Sequence, residues 1–285
     1  MPLDQFDVDK ESEKSEVKRT DEMNFWEHLE ELRKRIIRAF LAVMVGVLGV
    51  FSLGEWVFKA IIYAPIQKEF ITYKYMCELG NKTGMSGLCI DPPKLNLITT
   101  QLGEVFFKQM QVAFVGGILV ASPFVFWQVW LFIKPGLMEE ERKAANGFVT
   151  ICSSLFIIGV LFGYFVIAPF AISFLANYTM GGIGGQATLD DYVGFLTMLT
   201  LPIGLVFELP IIIYFLSKIG IVTPKLLKKY RKHMIVIILI VAGVITPSPD
   251  IVSQLLVGVP LYLLFEVGIL VSNSVYKKKM AKQNE

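Results

Sequence analysis

The sequence predicts an all-α integral membrane protein with six transmembrane helices and both termini in the cytoplasm. Three observations support this fold class: an apolar composition, a succession of long apolar stretches, and lysine and arginine residues concentrated on one side of them. Of the 285 residues, 54% are hydrophobic and 18% are charged, whereas soluble globular proteins usually carry about 25% charged residues. A lipid bilayer is therefore the natural solvent of the chain, and the net charge of +2 gives no support for a nucleic-acid partner.

Four apolar stretches are long enough to cross about 30 Å of hydrocarbon as helices. They cover residues 36–58, 105–133, 144–168 and 193–216. The last apolar region is divided at residues 246–250, where two prolines disfavour helix in their neighbours, so we expect a hairpin of two further spans at 234–246 and 252–272. Both of these last helices are expected to be short. The first arm would rise only about 18 Å, and we hypothesise that the bilayer thins there or that the arm packs among its neighbours.

The orientation of the spans follows from their basic flanks. Lysine and arginine collect on one side of the membrane, within residues 33–38, 134–143, 218–232 and 277–279. The opposite loops carry fewer, with none between residues 169 and 192, so the positive-inside rule places the N-terminus in the cytoplasm. Residues 23–274 then form the membrane domain, between a polar tail at 1–22 whose composition predicts disorder and a basic tail at 275–285. The N-terminal residues lack the apolar segment of a cleaved signal peptide.

The entry to the first span is predicted to be an amphipathic helix. Asn24 can cap this helix together with Glu27, three residues further on. Apolar residues recur after it at helical spacing. We expect the helix to lie along the membrane surface and then to turn inward.

Proline residues inside the apolar stretches predict a concave, cup-like bundle, because proline kinks transmembrane helices. These prolines are Pro123, Pro202, Pro210 and Pro260. Gly159 and Gly163 form a GxxxG pair in the third span, which favours close helix packing over a role in ligand binding.

Two of the three cysteines, Cys77 and Cys89, share one polar loop. The predicted topology places this loop outside the cytoplasm, where a disulfide between them can persist. Two unpaired thiols are the alternative. No Cys and His spacing typical of a metal site occurs.

Glu208 and Glu266 lie within otherwise apolar stretches. An acidic group at the centre of a transmembrane helix costs about 2.5–3.5 kcal/mol on insertion scales, so such residues usually face a polar cavity or a partner. The prolines beside Glu208 open backbone groups to water or substrate, which favours a functional role there. For Glu266, a position near the interface beside Lys277 is an equally good explanation.

The sequence favours binding and transport over enzymatic activity. It contains no P-loop, and His28 and His233 have neither a nucleophile nor an HExxH partner. No cofactor is predicted.

Acidic residues also cluster among the basic residues of the cytoplasmic side. They are Glu27, Glu30 and Glu31 on the entry helix and Glu139, Glu140 and Glu141 on the first cytoplasmic loop. Pairing on the helix surface, of Glu30 with Lys34 and of Glu31 with Arg35, is the simplest explanation from spacing alone.

Four segments carry more specific patterns. They are residues 28–35 (HLEELRKR), 132–137 (FIKPGL) with 141–143 (ERK), 207–210 (FELP) and 246–254 (TPSPDIVSQ). In this order they resemble the entry motif, first cytoplasmic loop, fourth helix and last external turn of the TatC family, the core subunit of the twin-arginine protein translocase. The resemblance covers nearly all of residues 24–272.

The resemblance implies a receptor for the paired arginines of export signal peptides. Glu31 and Glu141 would be the carboxylates that accept the arginine pair. The residues that shape the site would be Arg33, Phe132 and Pro135. A guanidinium matches a carboxylate bidentately, whereas lysine offers a point charge, which agrees with selection of arginine. Glu139 and Glu140 adjoin Glu141, so a neighbouring carboxylate is an alternative acceptor.

The resemblance also implies partners and a location. Glu208 would lie in the concave membrane face where single-span subunits of the TatA and TatB type dock, and Pro65 and Asp250 match external positions of the family. The chain would reside in the bacterial cytoplasmic membrane, contact lipid and self-associate in the complex. Because the sequence has no nucleotide motif, the proton motive force would drive the export of folded proteins.

Two features depart from the family pattern. The first external loop, about residues 68–97, is longer and carries the cysteine pair, and the last external turn reads Thr-Pro-Ser-Pro-Asp instead of Thr-Pro-Pro-Asp.

A proton-coupled secondary transporter of a small solute is the alternative function, because kinked helices and an intramembrane carboxylate also suit proton coupling. The six unequal spans, however, show no clear inverted repeat. An intramembrane enzyme is a third class, which the lack of a nucleophile and base pair disfavours.

Overall fold

The computed structural model describes residues 25–83, 93, 95–134, 147–177, 179–180, 183–184, 187–245 and 251–283. Several predicted features lie outside these residues. They are the polar tail at 1–22, Asn24, Cys89, Pro135, the glutamates at 139–141 and Asp250.

The described chain is almost entirely helical. In chain order its helices are α1 (Phe25–Ser52), α2 (Gly54–Val57), α3 (Ile71–Thr83), α4 (Glu104–Ile133), α5 (Phe148–Phe162), α6 (Ala168–Asn177), α7 (Leu189–Val206), α8 (Leu209–Ile219), α9 (Pro224–Lys229), α10 (Arg231–Ile245) and α11 (Ile251–Gln283). Shorter turns are a π-helix at Phe58–Ile62, a 3₁₀ turn at Ala64–Ile66 and a second π-helix at Gly163–Ile167. Two-residue strands β1 (Thr179–Met180) and β2 (Ile183–Gly184) pair antiparallel. The predicted all-α class is confirmed, with this small ribbon as an addition.

Five stretches of the described chain are long and apolar enough to cross a membrane. They are Leu29–Ser52, Glu104–Ile133, Phe148–Asn177, Leu189–Ile219 and Gln254–Met280. The predicted span at 234–246 corresponds to α10, whose 15 residues rise about 22 Å, less than the hydrocarbon thickness of about 30 Å. The sixth span and the orientation of the termini therefore stay predictions.

Several boundaries differ from those predicted. The surface helix and the first span form one uninterrupted helix, α1, which ends at Ser52. The third span continues through the π-helix at Gly163–Ile167 into α6. The last helix, α11, has 33 residues and extends to Gln283, beyond the apolar stretch, so the prediction of a short sixth helix is wrong. A helix ends where its backbone hydrogen bonds end, and polar residues outside the membrane can continue it.

The helices pack in a continuous series. α1 packs along α4, α4 contacts α5 and α7, and the pairs α8 with α11 and α10 with α11 complete the bundle. The buried core lies mainly on α7 and α11 and includes Val193, Leu199, Ile203, Val257 and Leu261. Many apolar residues on the outer faces of α1 and α4 are not covered by the described chain, as expected for surfaces that face lipid.

Glycine permits the close contact between α5 and α7. A Cβ atom added at Gly159 would lie 2.9 Å from the Gly204 Cα atom, and one at Gly163 would lie 2.8 Å from the Leu199 carbonyl oxygen. Real Cβ atoms do not approach other atoms so closely, so only glycine fits. The predicted packing role of this pair is confirmed.

Proline interrupts the fourth span at one point. Pro123, Pro202 and Pro260 lie inside uninterrupted helices. Pro210 has no backbone N–H to donate to Val206, four residues earlier, and α7 ends at Val206. α8 then starts at Leu209, so Glu208 stands at the junction of two helices.

Candidate functional site

Glu31 is held by a neighbour on the same face of α1. Arg35 Nη2 donates to Glu31 Oε1 at 2.7 Å, and the two side chains are 18% and 26% exposed, Arg35 first. Glu30 pairs with Lys34 at 2.8 Å, but both side chains are more than 60% exposed. Both pairs predicted from spacing are confirmed, and the Glu31 pair is the more enclosed.

The packing register of α1 and α4 relates Glu31 to Phe132. The helices run antiparallel, because a Cβ atom at Gly46 would meet Gly117, while one at Gly54, just after α1, would meet the Gln109 side chain. Continued towards the start of α1, the same register brings Glu31 level with Phe132. Both residues are partly buried.

The remaining predicted site residues are only partly described. Arg33 is exposed on α1, and Lys134 ends α4 as its C-cap. Pro135 and Glu141 follow it outside the described residues. The structure therefore brings Glu31 and Phe132 to one end of the α1–α4 pair, and the position of Glu141 stays a prediction.

Glu208 is buried at the junction of α7 and α8, against α5, rather than open to the surroundings. The residue is 7% exposed, and the Cys152 thiol and Phe156 on α5 lie beside its carboxyl group. Within the described residues, its Oε1 atom has no hydrogen-bond partner. Its backbone carbonyl accepts from the N–H groups of Ile211 and Ile212, each at 3.0 Å, and so anchors the start of α8.

Glu266 is a paired carboxylate. Arg231 Nη2 donates to its Oε2 at 2.7 Å, and the Tyr262 hydroxyl donates to its Oε1 at 2.9 Å. The basic partner of Glu266 is therefore Arg231 at the start of α10, and not the Lys277 region that the sequence suggests. This network joins α10 to α11.

Pro65 is buried where the hydroxyl groups of two tyrosines bond to the backbone of an interrupted helix. As proline it has no N–H for the Ile61 carbonyl, and the Tyr164 hydroxyl donates to that carbonyl at 2.6 Å. The Pro65 carbonyl in turn accepts from the Tyr73 hydroxyl at 2.7 Å. Burial raises the pKa of Tyr73, so its hydroxyl keeps its proton. Pro65 therefore shapes the fold at this end of the bundle.

The cysteines occupy two environments. Cys77 is disulfide-bonded, and Cys89, its predicted partner, lies outside the described residues. Cys152 is free and buried. Among the described residues, no group of three or more His, Cys, Asp and Glu side chains is arranged to hold a metal ion.

A polar cluster at the far end of the bundle was not predicted. Glu104 is buried at the first position of α4 and accepts backbone N–H groups from Thr100 at 2.7 Å and from Asp190 at 2.9 Å. Lys108, one turn later, forms an ion pair with Asp190. The sequence signals were acidic residues opening two apolar helices, a position that the helix dipole favours.

Comparisons with known proteins agree with this architecture. The family model for the Sec-independent protein translocase protein TatC matches residues 27–260. TatC from Blattabacterium is 37% identical over 261 residues, covering 90% of this chain and 98% of that protein, and TatCy from Bacillus subtilis is 33% identical, covering 91% and 92%.

A solved structure is similar along nearly its whole length. The crystal structure described as the twin-arginine translocase receptor TatC superposes with a TM-score of 0.67 at 31% identity, covering 87% of this chain and 99% of that one. The chain is therefore a multi-pass protein of the bacterial inner membrane and a non-enzymatic protein translocase component, and it belongs to the TatC family.

Proposed function

We propose that the end of the bundle formed by the start of α1 and the end of α4 binds the arginine pair of twin-arginine signal peptides from the cytoplasm. Glu31 is the acceptor on α1, and Glu141 is the second acceptor on the following loop. Arg33, Phe132 and Pro135 border the site. The translocase identity of the family and the receptor description of the solved relative support this role.

The observation that carries the proposal is the Glu31–Arg35 pair. The 2.7 Å contact between Arg35 Nη2 and Glu31 Oε1 supports the proposal, because this carboxylate already pairs with a guanidinium group. The Arg35 partner orders the Glu31 carboxylate before the peptide arrives. An incoming arginine would then replace Arg35 or share the carboxylate with it. Because the site is partly enclosed, the charge-assisted hydrogen bonds are less screened than at Glu30.

Phe132 supports the same location. The register of α1 and α4 brings this aromatic side chain level with Glu31. An aromatic ring beside a carboxylate suits a planar guanidinium, which stacks on rings as well as pairing with acids. Lysine would lose both the stacking and the bidentate geometry.

The wider assembly is part of the proposal. Single-span partners of the TatA and TatB type would assemble around this chain, near the junction at Glu208, and further copies of the chain would join the complex. The uncovered apolar faces of α1 and α4 offer ample area in the membrane for helix partners. The proton motive force would supply the energy for export. Family membership favours this function over the secondary transporter of a small solute.

A matched pair of variants tests the receptor role. Glu31→Gln removes the negative charge from the enclosed pair with Arg35. Glu30→Gln removes it from the exposed pair with Lys34, one position earlier in the chain. Binding of an Arg-Arg signal peptide to the purified protein in detergent is expected to weaken about tenfold or more in Glu31→Gln and to change little in Glu30→Gln. A Lys-Lys peptide should bind the wild type as weakly as the Arg-Arg peptide binds Glu31→Gln.

Equal binding of both peptides to the wild type would refute the proposal, as would unchanged Arg-Arg binding in Glu31→Gln. The elution volume and helix content of each variant report whether the fold is intact.

A further inference from the structure

A cavity of about 550 Å³ opens among α4, α6 and α7, at the end of the bundle opposite the proposed receptor site. Its volume is in the range of small-molecule sites, roughly 300–1,000 Å³. Apolar side chains of Leu175, Phe195 and Met198 form one part of the lining. Lys108, Asp190 and Asp191 form the polar part.

The cavity lies at the level where apolar spans meet the polar medium. Three candidate spans end or begin beside it: Glu104–Ile133, Phe148–Asn177 and Leu189–Ile219. Lipid headgroups occupy this level of a bilayer, and acyl chains begin just below it. A ligand that is polar at one end and apolar at the other matches both parts of the lining.

The charges of the lining favour a cationic group. Lys108 is paired with Asp190, and its side chain is 13% exposed. Asp191 is exposed and accepts a hydrogen bond from the Thr188 hydroxyl at 2.6 Å. Among the described residues of the lining, one lysine stands against two aspartates, which gives this part of the lining an excess negative charge.

The neighbouring Glu104 does not line the cavity. Its carboxylate accepts three backbone N–H groups, from Thr100, Gln101 and Asp190, so its oxygens are already engaged by the backbone.

The backbone leaves room for a ligand beside α7. Gly194 lines the cavity, and a Cβ atom added there would have no atom within 4 Å. This glycine differs from Gly204 on the same helix, where an added Cβ atom would collide with Val160. The open space beside Gly194 therefore belongs to the cavity and not to a helix contact.

We propose that this cavity binds a phospholipid with a primary amine headgroup. The ammonium group would lie against Asp191 and the outer edge of Asp190, the phosphate would face Lys108, and an acyl chain would lie along Phe195 and Met198. An ammonium group has three N–H donors for carboxylate oxygens, whereas a quaternary amine has none. A lipid with an anionic headgroup would meet the excess negative charge of the lining.

Lipid binding to the purified full chain in detergent tests the proposal. The probes are phosphatidylethanolamine, phosphatidylcholine and phosphatidylglycerol with identical acyl chains, and native mass spectrometry measures the bound fraction. The wild type is expected to retain phosphatidylethanolamine with about tenfold preference over both other lipids, the scale of one charge-assisted hydrogen bond.

Two variants and one control separate this site from the general lipid surface. Asp191→Asn should lower phosphatidylethanolamine binding to the level of phosphatidylcholine. Gly194→Leu should place an apolar side chain in the cavity, since nothing lies within 4 Å of an added Cβ atom, and abolish the preference. The control Glu55→Gln removes an exposed carboxylate that is paired with Lys59 outside the cavity. This variant should keep the preference for phosphatidylethanolamine. Equal binding of the three lipids to the wild type would overturn the proposal, as would an unchanged preference in both Asp191→Asn and Gly194→Leu.

A photo-cross-linker at position 194 distinguishes a lipid from a protein occupant in native membranes. Cross-links to phosphatidylethanolamine are the expected result. Cross-links to a single-span protein in place of lipid would contradict the proposal.

Discussion

The Tyr192 hydroxyl donates a 2.7 Å hydrogen bond to the backbone carbonyl of Ile62, and the two residues are 130 positions apart in the chain. The Ile62 carbonyl lacks its usual helical partner because the N–H of Ile66 bonds to Tyr63 in a tighter turn. Tyr192 is almost completely buried at the start of α7. This bond therefore ties α7 to the segment that follows the first span and satisfies a carbonyl that would otherwise be buried unpaired.

Tyr192→Phe should destabilise the protein by about 1–3 kcal/mol, because it leaves the Ile62 carbonyl without a partner in a buried site. Thermal and SDS-induced unfolding of the purified protein in detergent measure the loss. Tyr75→Phe is the matched control, since Tyr75 is 67% exposed and should tolerate the change. An equal effect of both substitutions would show that the buried hydrogen bond of Tyr192 makes no measurable contribution to stability.

Gly163→Ala should destabilise the contact of α5 with α7 by about 1–3 kcal/mol through overpacking. The added methyl group would lie 2.8 Å from the Leu199 carbonyl oxygen, which is backbone and cannot rotate away. Gly49→Ala on α1 is the control, because nothing lies within 4 Å of its added carbon and alanine favours helix by roughly 0.5–1 kcal/mol. The two substitutions are expected to change the free energy of unfolding in opposite directions. If Gly163→Ala left the free energy of unfolding unchanged, α5 and α7 would be able to move apart for the methyl group without loss of stability.

The Arg231–Glu266 pair should couple α10 to α11. Arg231→Met is expected to cost about 1–2 kcal/mol, since the guanidinium is partly exposed and part of its interaction is screened. A double-mutant cycle with Glu266→Gln should give a coupling energy of about 1 kcal/mol.

The exposed pair of Lys34 with Glu30 provides the control for this cycle. Lys34→Met should change stability by less than about 0.5 kcal/mol. A coupling energy near zero for Arg231 and Glu266 would mean that the two helices are held by apolar packing alone.

Thiol labelling should distinguish the cysteines. In the unfolded, non-reduced protein a maleimide should modify Cys152 alone, because Cys77 is disulfide-bonded and Cys152 is free. After reduction, three thiols should react, and Cys89→Ser should expose Cys77 without reduction. Three labelled thiols before reduction would exclude the disulfide, and labelling of Cys77 that is independent of Cys89 would exclude their pairing.

The sequence predicted the class of protein well because the signals are local. Apolar stretches of transmembrane length and their order follow from composition, and the i, i+4 pairs at Glu30 and Glu31 follow from helix geometry alone. The close packing at Gly159 and Gly163 was predictable for the same reason. The shortness of α10 was also predictable, because the apolar stretch in the sequence is itself short.

The prediction was less accurate where a local pattern had several outcomes. Four prolines lie in the apolar stretches, but only Pro210 coincides with an interrupted helix. The entry helix was expected to turn and instead continues unbroken into the first span. Proline and amphipathicity indicate where a helix can bend, and packing against neighbours decides whether it does.

The sequence by itself determined that the chain crosses the membrane, where its helices lie and which family motifs it carries. Tertiary structure alone decided that Glu208 is buried beside Cys152, that tyrosines from distant helices satisfy the carbonyls around Pro65, and that Lys108 and Asp190 meet at one cavity. The reason is physical: hydropathy and helical periodicity are properties of neighbouring residues, whereas the burial of a polar group and the partner that satisfies it depend on which helices come together in space.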